Sequence, residues 1–363
     1  MRALRVRLRD FRSYERAEAE LGDGLTVVVG PNGAGKTNLL EAVYFALTAR
    51  SCRTSNEREL VRLGAEVTRA EVEVEADDGK HLLEVGFKPG EPKHLRIDGA
   101  PVERFGPDAP RPLVVVFLPE RLELVRGGPS LRRAHLDQFA AALHPALTDL
   151  RGRYARTLAQ RNALVARIAG RSAAPELLDP WDGELARVGW ELIQERTAAA
   201  ERLAEPFDRL ATELGLPEHA ELRYRPRSHA TSADELRAEL AERRGADIQR
   251  GFTAHGPHRD ELLFSHGGRA LRAFGSQGQQ RVALLALLLA EREVLLELRG
   301  RPPLVLLDDV MSELDAERRL RLAELLRGGG QALITATEAE HVPGSGEPGV
   351  VTIHVEAGAL VGA

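Results

Sequence analysis

Gly30-Pro31-Asn32-Gly33-Ala34-Gly35-Lys36-Thr37 fits the spacing G-x-x-x-x-G-K-[ST] without a mismatch. The chemistry of that spacing is phosphate capture. Backbone amides must wrap round the phosphates and side chains would obstruct them, so glycines recur. The N-terminus of the helix that follows adds amide donors and a partial positive charge. Lys36 reaches the outer phosphates, and Thr37 offers a hydroxyl to magnesium. The lysine stands out, because Lys36, Lys80, Lys88 and Lys93 are the only lysines among 50 basic residues. A compact ammonium is used here where arginine serves almost everywhere else.

A metal at that position needs a carboxylate. Leu304-Val305-Leu306-Leu307-Asp308-Asp309 is an apolar strand ending in two, the composition of a Walker B site. Asp308 can coordinate magnesium directly or through water, and Asp309 can polarise an attacking water. Paired aspartates could instead cap the next helix, but Ser312 is better placed for that.

These groups need elements to position them. Leu4, Val6 and Leu8 alternate with Arg5, Arg7 and Arg9, the period of a half-buried strand. Leu25 to Val29 reads as a buried parallel strand running into the glycine-rich turn. Asn38 to Thr48 reads as a helix with Leu39, Leu40, Val43 and Leu47 on one face. Period-two runs from Val67 to Val74 and Leu82 to Phe87 flank Asp78-Gly79, a hairpin signal. Pro112 to Phe117 is a further buried strand. Between Leu131 and Leu214 the spacing turns helical. One stripe runs Leu136, Leu143, Leu147, Leu150, Tyr154, Leu158, Val165; a second runs Leu185, Val188, Leu192, Leu203, Leu210, Leu214. The turn near Pro175 to Pro180 makes them an antiparallel helical hairpin. Strands near Leu262–Phe264, Leu304–Leu307, Leu333–Thr335 and Val350–Val355, with helices at Gln277–Leu298 and Ala316–Leu326, complete an α/β pattern.

Composition narrows the class. With 43% apolar and 29% charged residues in 363, the chain is globular and of about two domains. The longest apolar run, Val282 to Ala290, falls far short of the roughly 20 residues that span a bilayer. The N-terminus has no apolar signal-peptide core, and Cys52 is the single cysteine, so a cytoplasmic protein with no membrane partner is expected. The net charge of −5 does not announce a polyanion binder, but the charge is segregated. Leu131 to Arg171 holds eight arginines and two aspartates, whereas Glu176 to Glu213 holds ten carboxylates and four arginines. Either a face is meant for a polyanion, or two amphipathic helices pair their opposite charges.

Phe274-Gly275-Ser276-Gln277-Gly278-Gln279-Gln280-Arg281 opens a helix and resembles the LSGGQ signature of ABC-type ATPases. Taken alone, Ser276 with Gln279 is also a capping-box spacing. Asp308 follows Ser276 by 32 residues, and Ser312-Glu313-Leu314-Asp315 looks like a D-loop. Ser276 stands 240 residues after Lys36, enough for a small helical lobe but not for a long coiled coil. Leu8-Arg9-Asp10-Phe11-Arg12-Ser13-Tyr14 and Lys36 to Tyr44 carry a closer likeness. More specific still are Gly127-Gly128-Pro129-Ser130-Leu131-Arg132-Arg133-Ala134-His135-Leu136-Asp137 and Gly256-Pro257-His258-Arg259-Asp260. Through them the whole chain resembles the RecF DNA replication and repair family.

The resemblance implies a P-loop ABC-type ATPase head with an antiparallel β subdomain and an inserted α-helical lobe. Residues 1–125 and 221–363 would form the two halves of the ATPase domain, and 126–220 the lobe. It implies ATP and magnesium as cofactors, with Gly30, Pro31, Asn32, Gly33, Ala34, Gly35, Lys36, Thr37, Asn38 and Arg12 at the nucleotide. Thr37 and Asp308 would take the metal, and Asp309, Lys36 and Ser276 would serve hydrolysis. Ser276, Gln277, Gly278 and Gln279 would touch the phosphate bound by a second copy. It further implies an ATP-dependent homodimer with weak, DNA-stimulated hydrolysis. Such a dimer would bind double-stranded DNA near single-strand gaps and act with RecR and RecO to load RecA. Arg132, Arg133, Arg151, Arg153 and Arg156 are the candidate DNA contacts. Two departures stand out. Asp309 replaces the usual glutamate, a shortening that suits a slow switch, and Thr335 and Thr337 follow the strand where a switch histidine would stand. The competing expectations are a transporter-type ATPase docked on a membrane partner and an ATP-binding adaptor without turnover.

Overall fold

Alternating leucine and arginine at the start of the chain does form a strand, and its partners come from the hairpin turn after it and from residues 68–76. The computed structural model describes residues 1–106 and 108–361. It begins β1 (Arg2–Phe11), β2 (Tyr14–Glu20), β3 (Leu25–Val29), α1 (Lys36–Thr48), β4 (Thr68–Ala76), β5 (Gly79–Phe87), β6 (His94–Ile97), β7 (Ala100–Val102) and β8 (Val114–Phe117). The chain continues α2 (Glu123–Arg126), α3 (Pro129–Leu143), α4 (Leu150–Ala169), α5 (Asp179–Glu213) and β9 (Ala220–Arg225). Next come α6 (Ala233–Glu242), α7 (Arg244–Arg250), β10 (Glu261–His266), β11 (Arg269–Ala270), α8 (Leu271–Phe274) and α9 (Gln277–Arg299). It closes with β12 (Leu304–Leu307), α10 (Ala316–Arg327), β13 (Ala332–Ala336), β14 (Val351–Glu356) and β15 (Ala359–Val361).

Two compact units result. One is Met1–Leu122 with Glu213–Gly215 and Leu288–Ala363; the other is Glu123–Thr212 with Leu216–Leu287. The second therefore reaches residue 287 where the sequence pattern suggests 220. The cause is packing: Leu236, Leu240 and Tyr224 join the apolar cluster of Leu150, Tyr154, Leu185 and Leu192.

In the first unit a sheet of order β15-β14-β3-β13-β12-β8 is parallel except at β15, and an antiparallel sheet has order β2-β1-β4-β5-β6-β7. Between β4 and β5 the hairpin closes over Asp77-Asp78, with Ala76 paired to Gly79. One core joins both sheets to α1, whose Leu39, Leu40, Ala42, Val43, Phe45, Ala46 and Leu47 are all buried. The single apolar face expected of this helix is thus a nearly complete buried circumference, with Glu41 the charged residue within it.

In the second unit the first leucine stripe is interrupted. Residues 144–149 separate α3 from α4, with Pro145 opening a short 3₁₀ turn, because proline cannot continue the ladder of amide donors. The segregated charges pair in part, Arg161 of the basic stretch with Asp182 of the acidic one and Arg153 with Glu191 at 3.5 Å. Buried Arg161 donates to Asp182 (2.6 Å), Asp247 (2.8 Å) and Thr253 (2.6 Å). Arg196 of α5 donates to both oxygens of Asp137 (2.6 and 3.0 Å) and to the Pro257 carbonyl (2.7 Å).

The two sequence stretches most specific to the family resemblance meet in this network. Arg132 donates to Glu261 at 2.8 and 3.1 Å and to the Gly127 carbonyl at 2.8 Å, while Arg133 donates to the Asp260 carbonyl at 2.7 Å. Asp260 accepts from Tyr224 and from the Arg227 amide. His258 Nε2 donates to the Thr253 carbonyl (3.0 Å), which leaves Nδ1 to accept from the Tyr154 hydroxyl (2.8 Å).

Burial lowers the pKa of His258 to about 4. An unfolded histidine titrates near 6.5, so the unfolded chain takes up a proton first and stability falls as pH drops from about 6.5 towards 4. Urea unfolding at pH 7 and pH 4.5 is expected to differ less in His258→Gln than in the native sequence, by about 2–3 kcal/mol.

Candidate functional site

All five residues of β3 are buried, and the chain leaves the strand through Gly30 into the phosphate loop. A side chain on Gly30 would stand 2.2 Å from the Val355 carbonyl oxygen. At Gly35 φ is 120°, and a Cβ would meet Ser13 Oγ and Tyr14 Oη at 3.0 Å. The β1–β2 turn thus presses directly on the loop. Tyr14 donates its hydroxyl to the Gly35 carbonyl (2.9 Å), and Asn38 Nδ2 donates to Ser13 Oγ (2.9 Å). Arg12 binds Glu41 with two bonds of 2.9 and 3.0 Å. Glu41 is fully buried in α1 and also accepts from Ser51 at 2.5 Å. Arg12 therefore reaches the site region, but its fork is engaged by a carboxylate.

Lys36 Nζ donates to the carbonyls of Gly30 (2.7 Å) and Pro31 (3.0 Å), across the mouth of the loop. Burial lowers its pKa, and Asp309 and Asp308 oppose that shift. Thr37 Oγ1 lies 2.9 Å from both carboxylate oxygens of Asp308. Thr335 Oγ1 donates to Asp308 Oδ1 at 2.7 Å and accepts from the Asp309 amide at 2.9 Å. Burial pushes the Asp308 carboxyl above its ordinary range; the bonds from Thr335 and Thr37 and the charge of Arg53 pull it down, and Asp309 pushes it up.

Asp309 itself has φ 47°, the left-handed region that aspartate tolerates better than most residues. Its carbonyl accepts from Ser312 Oγ (2.9 Å). Ser312 therefore does not cap the next helix. Asp315 does, accepting from the Arg318 amide at 3.0 Å, because α10 starts at Ala316.

Magnesium fits this donor set. A buried carboxylate and a hydroxyl converge at the loop mouth, where a cation would offset the burial of the carboxylate. Among the described residues no group of three or more His, Cys, Asp or Glu could cage a metal. Magnesium needs no such cage, since it keeps waters and phosphate oxygens as ligands.

The signature stretch belongs to the second unit. The Ser276 amide donates to Gln279 Oε1 (2.8 Å) and the Gln279 amide to Ser276 Oγ (3.2 Å), a closed capping box at the start of α9. Gln280 bonds the carbonyls of Leu271 (2.8 Å) and Gly275 (3.1 Å) and accepts from Arg126 (2.6 Å). Ser276 and Gln277 are exposed. A Cβ on Gly278 would meet no atom closer than 4.0 Å, so the space beside it is open.

The five candidate DNA arginines divide. Arg132 is 3% exposed and spent on Glu261 and backbone carbonyls, so it is withdrawn as a phosphate contact. Arg133 is half-buried on the Asp260 carbonyl. Arg151, Arg153 and Arg156 stand 3.6, 3.5 and 2.6 Å from Asp137, Glu191 and Asp149.

The residue whose role as a partner of Asp308 sequence reasoning missed is Thr335. It lies inside β13 rather than after it, and its signal was a lone hydroxyl in the buried run Ala332–Ala336. No described helix is long and apolar enough to cross a membrane.

Known proteins are similar to this chain in sequence and fold. A family model described as an AAA domain matches residues 5–101. The DNA replication and repair protein RecF of Streptomyces avermitilis is 40% identical, covering 95% of each chain. That of an Anaeromyxobacter species is 38% identical over 99% of this chain and 98% of its own. The solved structure of a recombination mediator protein RecF-ATP in the RecFOR pathway superposes with a TM-score of 0.86. It is 29% identical and covers 99% of this chain and 96% of that one. An Smc head at 14% identity and TM-score 0.60, covering 99% and 96%, shares the fold.

Outer partners of metal ligands are worth about 10–100-fold in affinity or activity. Thr335→Val is expected to weaken magnesium-dependent binding of a fluorescent nucleoside triphosphate by about that factor, with the thermal midpoint lowered by the lost bonds to buried Asp308 and the Asp309 amide.

Proposed function

Because the chain belongs to the RecF family of DNA replication and repair proteins, we propose that it is an ATP-switched clamp on duplex DNA. The observation that carries this reading is the 2.9 Å contact of Thr37 with both oxygens of Asp308, which joins the phosphate loop to the metal carboxylate. The loop amides of Gly30 to Thr37 cradle the phosphates of ATP, and Lys36 neutralises the outer ones. Thr37 and Asp308 would hold magnesium, which would supply charge neutralisation to the phosphates. Asp309 orients the attacking water. Its carboxylate is one methylene shorter than glutamate, so turnover is slow and ATP acts as a switch.

The Ser276 hydroxyl and the Gly278 amide donate to the γ-phosphate held by a second copy, and the Ser276–Gln279 capping box fixes that hydroxyl before the partner arrives. Two ATP molecules are then sandwiched in a homodimer. Closure gathers basic surface on one duplex, and each neutralised phosphate adds salt-dependent, sequence-independent affinity. Weak hydrolysis stimulated by DNA reopens the clamp. The family's pathway supports the finer reading that the dimer sits near single-strand gaps and works with RecR and RecO to load RecA.

Sedimentation velocity tests the switch. Mg-ATP is expected to convert monomer to dimer, duplex DNA to strengthen the dimer, and Ser276→Arg to abolish it. A mass that ignores nucleotide would favour an ATP-binding adaptor instead.

A further inference from the structure

The outer face of the antiparallel sheet arranges its charges in rows set by strand register. Arg7 of β1 stands opposite Glu18 of β2 and Glu71 of β4, and Arg5 stands opposite Glu20 and Glu73. Each of these arginines has a carboxylate on both sides; Arg7 reaches Glu18 at 3.1 Å and Arg5 reaches Glu20 at 2.6 Å.

The row nearest the β1–β2 turn breaks the rule. Arg9 stands opposite Arg16 on one side and Arg69 on the other. Beyond Arg69 the row continues through Gly86 to His94, with no carboxylate in it. Like charges directly opposite on neighbouring strands destabilise a sheet, and the available relief is slight. Arg9 is 4.0 Å from Asp10, and Arg69 is 3.4 and 3.6 Å from Glu71 and Glu84. Arg16 is exposed and, among the described residues, has no carboxylate within ion-pair distance. The side chains of Arg9 and Arg69 are 67% and 50% exposed.

Three guanidinium groups held side by side against their repulsion, on a face where the neighbouring Arg5 and Arg7 are each flanked by carboxylates, form a surface for a polyanion. Strands lie about 4.8 Å apart, so the row extends about 10 Å. One strand of a duplex presents about three phosphates over that length. We propose that Arg16, Arg9 and Arg69 form a contact site for the phosphate backbone of duplex DNA. This site rests on the clamp reading above and adds to it a binding surface on the first unit. The hairpin that carries Arg9 and Arg16 also presses Ser13 and Tyr14 on the phosphate loop, so one covalent segment touches both anion sites.

The test is anisotropy of a fluorescent duplex with the full chain and Mg-ATP, at about 50 to 200 mM salt. In Arg9→Gln/Arg16→Gln/Arg69→Gln the slope of log K against log salt is expected to shrink by about 2.7, and affinity near 150 mM to fall on the order of 100-fold. Arg5→Gln/Arg7→Gln, from the matched rows, is expected to change affinity less than about two-fold. The thermal midpoint of the triple variant is expected at or above the native one, since repulsion is relieved. If the native chain binds duplex and the folded triple variant binds with equal slope and affinity, the site is overturned and the clamp reading stands. That outcome covers a row that takes an acidic protein segment instead. If the native chain binds no duplex with or without Mg-ATP, both fall.

Discussion

A carboxylate taken out of water must be given partners, and the burial of Asp308 is the constraint round which the first unit is arranged. Its partners, Thr37 and Thr335, lie 271 and 27 residues away in the chain. Both can arrive only if β13 lies between β3 and β12, which is the observed strand order. Leu307 then pairs with Ile334, and Thr335 with Val28, so the carboxyl ends of the three strands align at one edge. That edge is where α/β sheets bind ligands. The apolar enclosure of α1 by two sheets serves the same end, because it holds Lys36 and Thr37 fixed at the helix start.

The second unit solves a different problem with the same means. Arg161 and Arg196 are buried and each joins segments distant in sequence. Such pairs add little net stability, since desolvation offsets attraction, but breaking one strands a buried charge at about 3–5 kcal/mol. Their consequence is geometric. Residues 127–137 and 256–261 are locked together by Arg132, Arg133 and Arg196, which explains why two stretches with no catalytic chemistry carried the most specific likeness.

How much of this was legible in the sequence depended on how local the physics is. The phosphate loop was readable because its glycines answer a backbone requirement within eight residues, and the Ser276–Gln279 cap because its partners are three apart. Strands β3, β12 and β13 were readable from short runs that are apolar but for one threonine each in β3 and β13. Thr335 was not, since its meaning comes from a neighbouring strand. Arg132 was misjudged for a related reason: residue type says charged, whereas burial is decided by Glu261 across the fold. The arginine row on the antiparallel sheet needed register, because alternation along β1 gives the face of Arg9 but not what stands opposite it.

The central claim is that the phosphate loop of one copy and the signature of another build one ATP site. Trans cross-linking tests it most directly. Chains carrying only Asn32→Cys are mixed with chains carrying only Gln277→Cys, each with Cys52→Ser, and treated with a short bifunctional maleimide. A covalent dimer joining the two kinds of chain is expected to form with Mg-ATP and to be lost without it. A mixture that yields no such dimer, or yields it equally without nucleotide, would contradict the shared site.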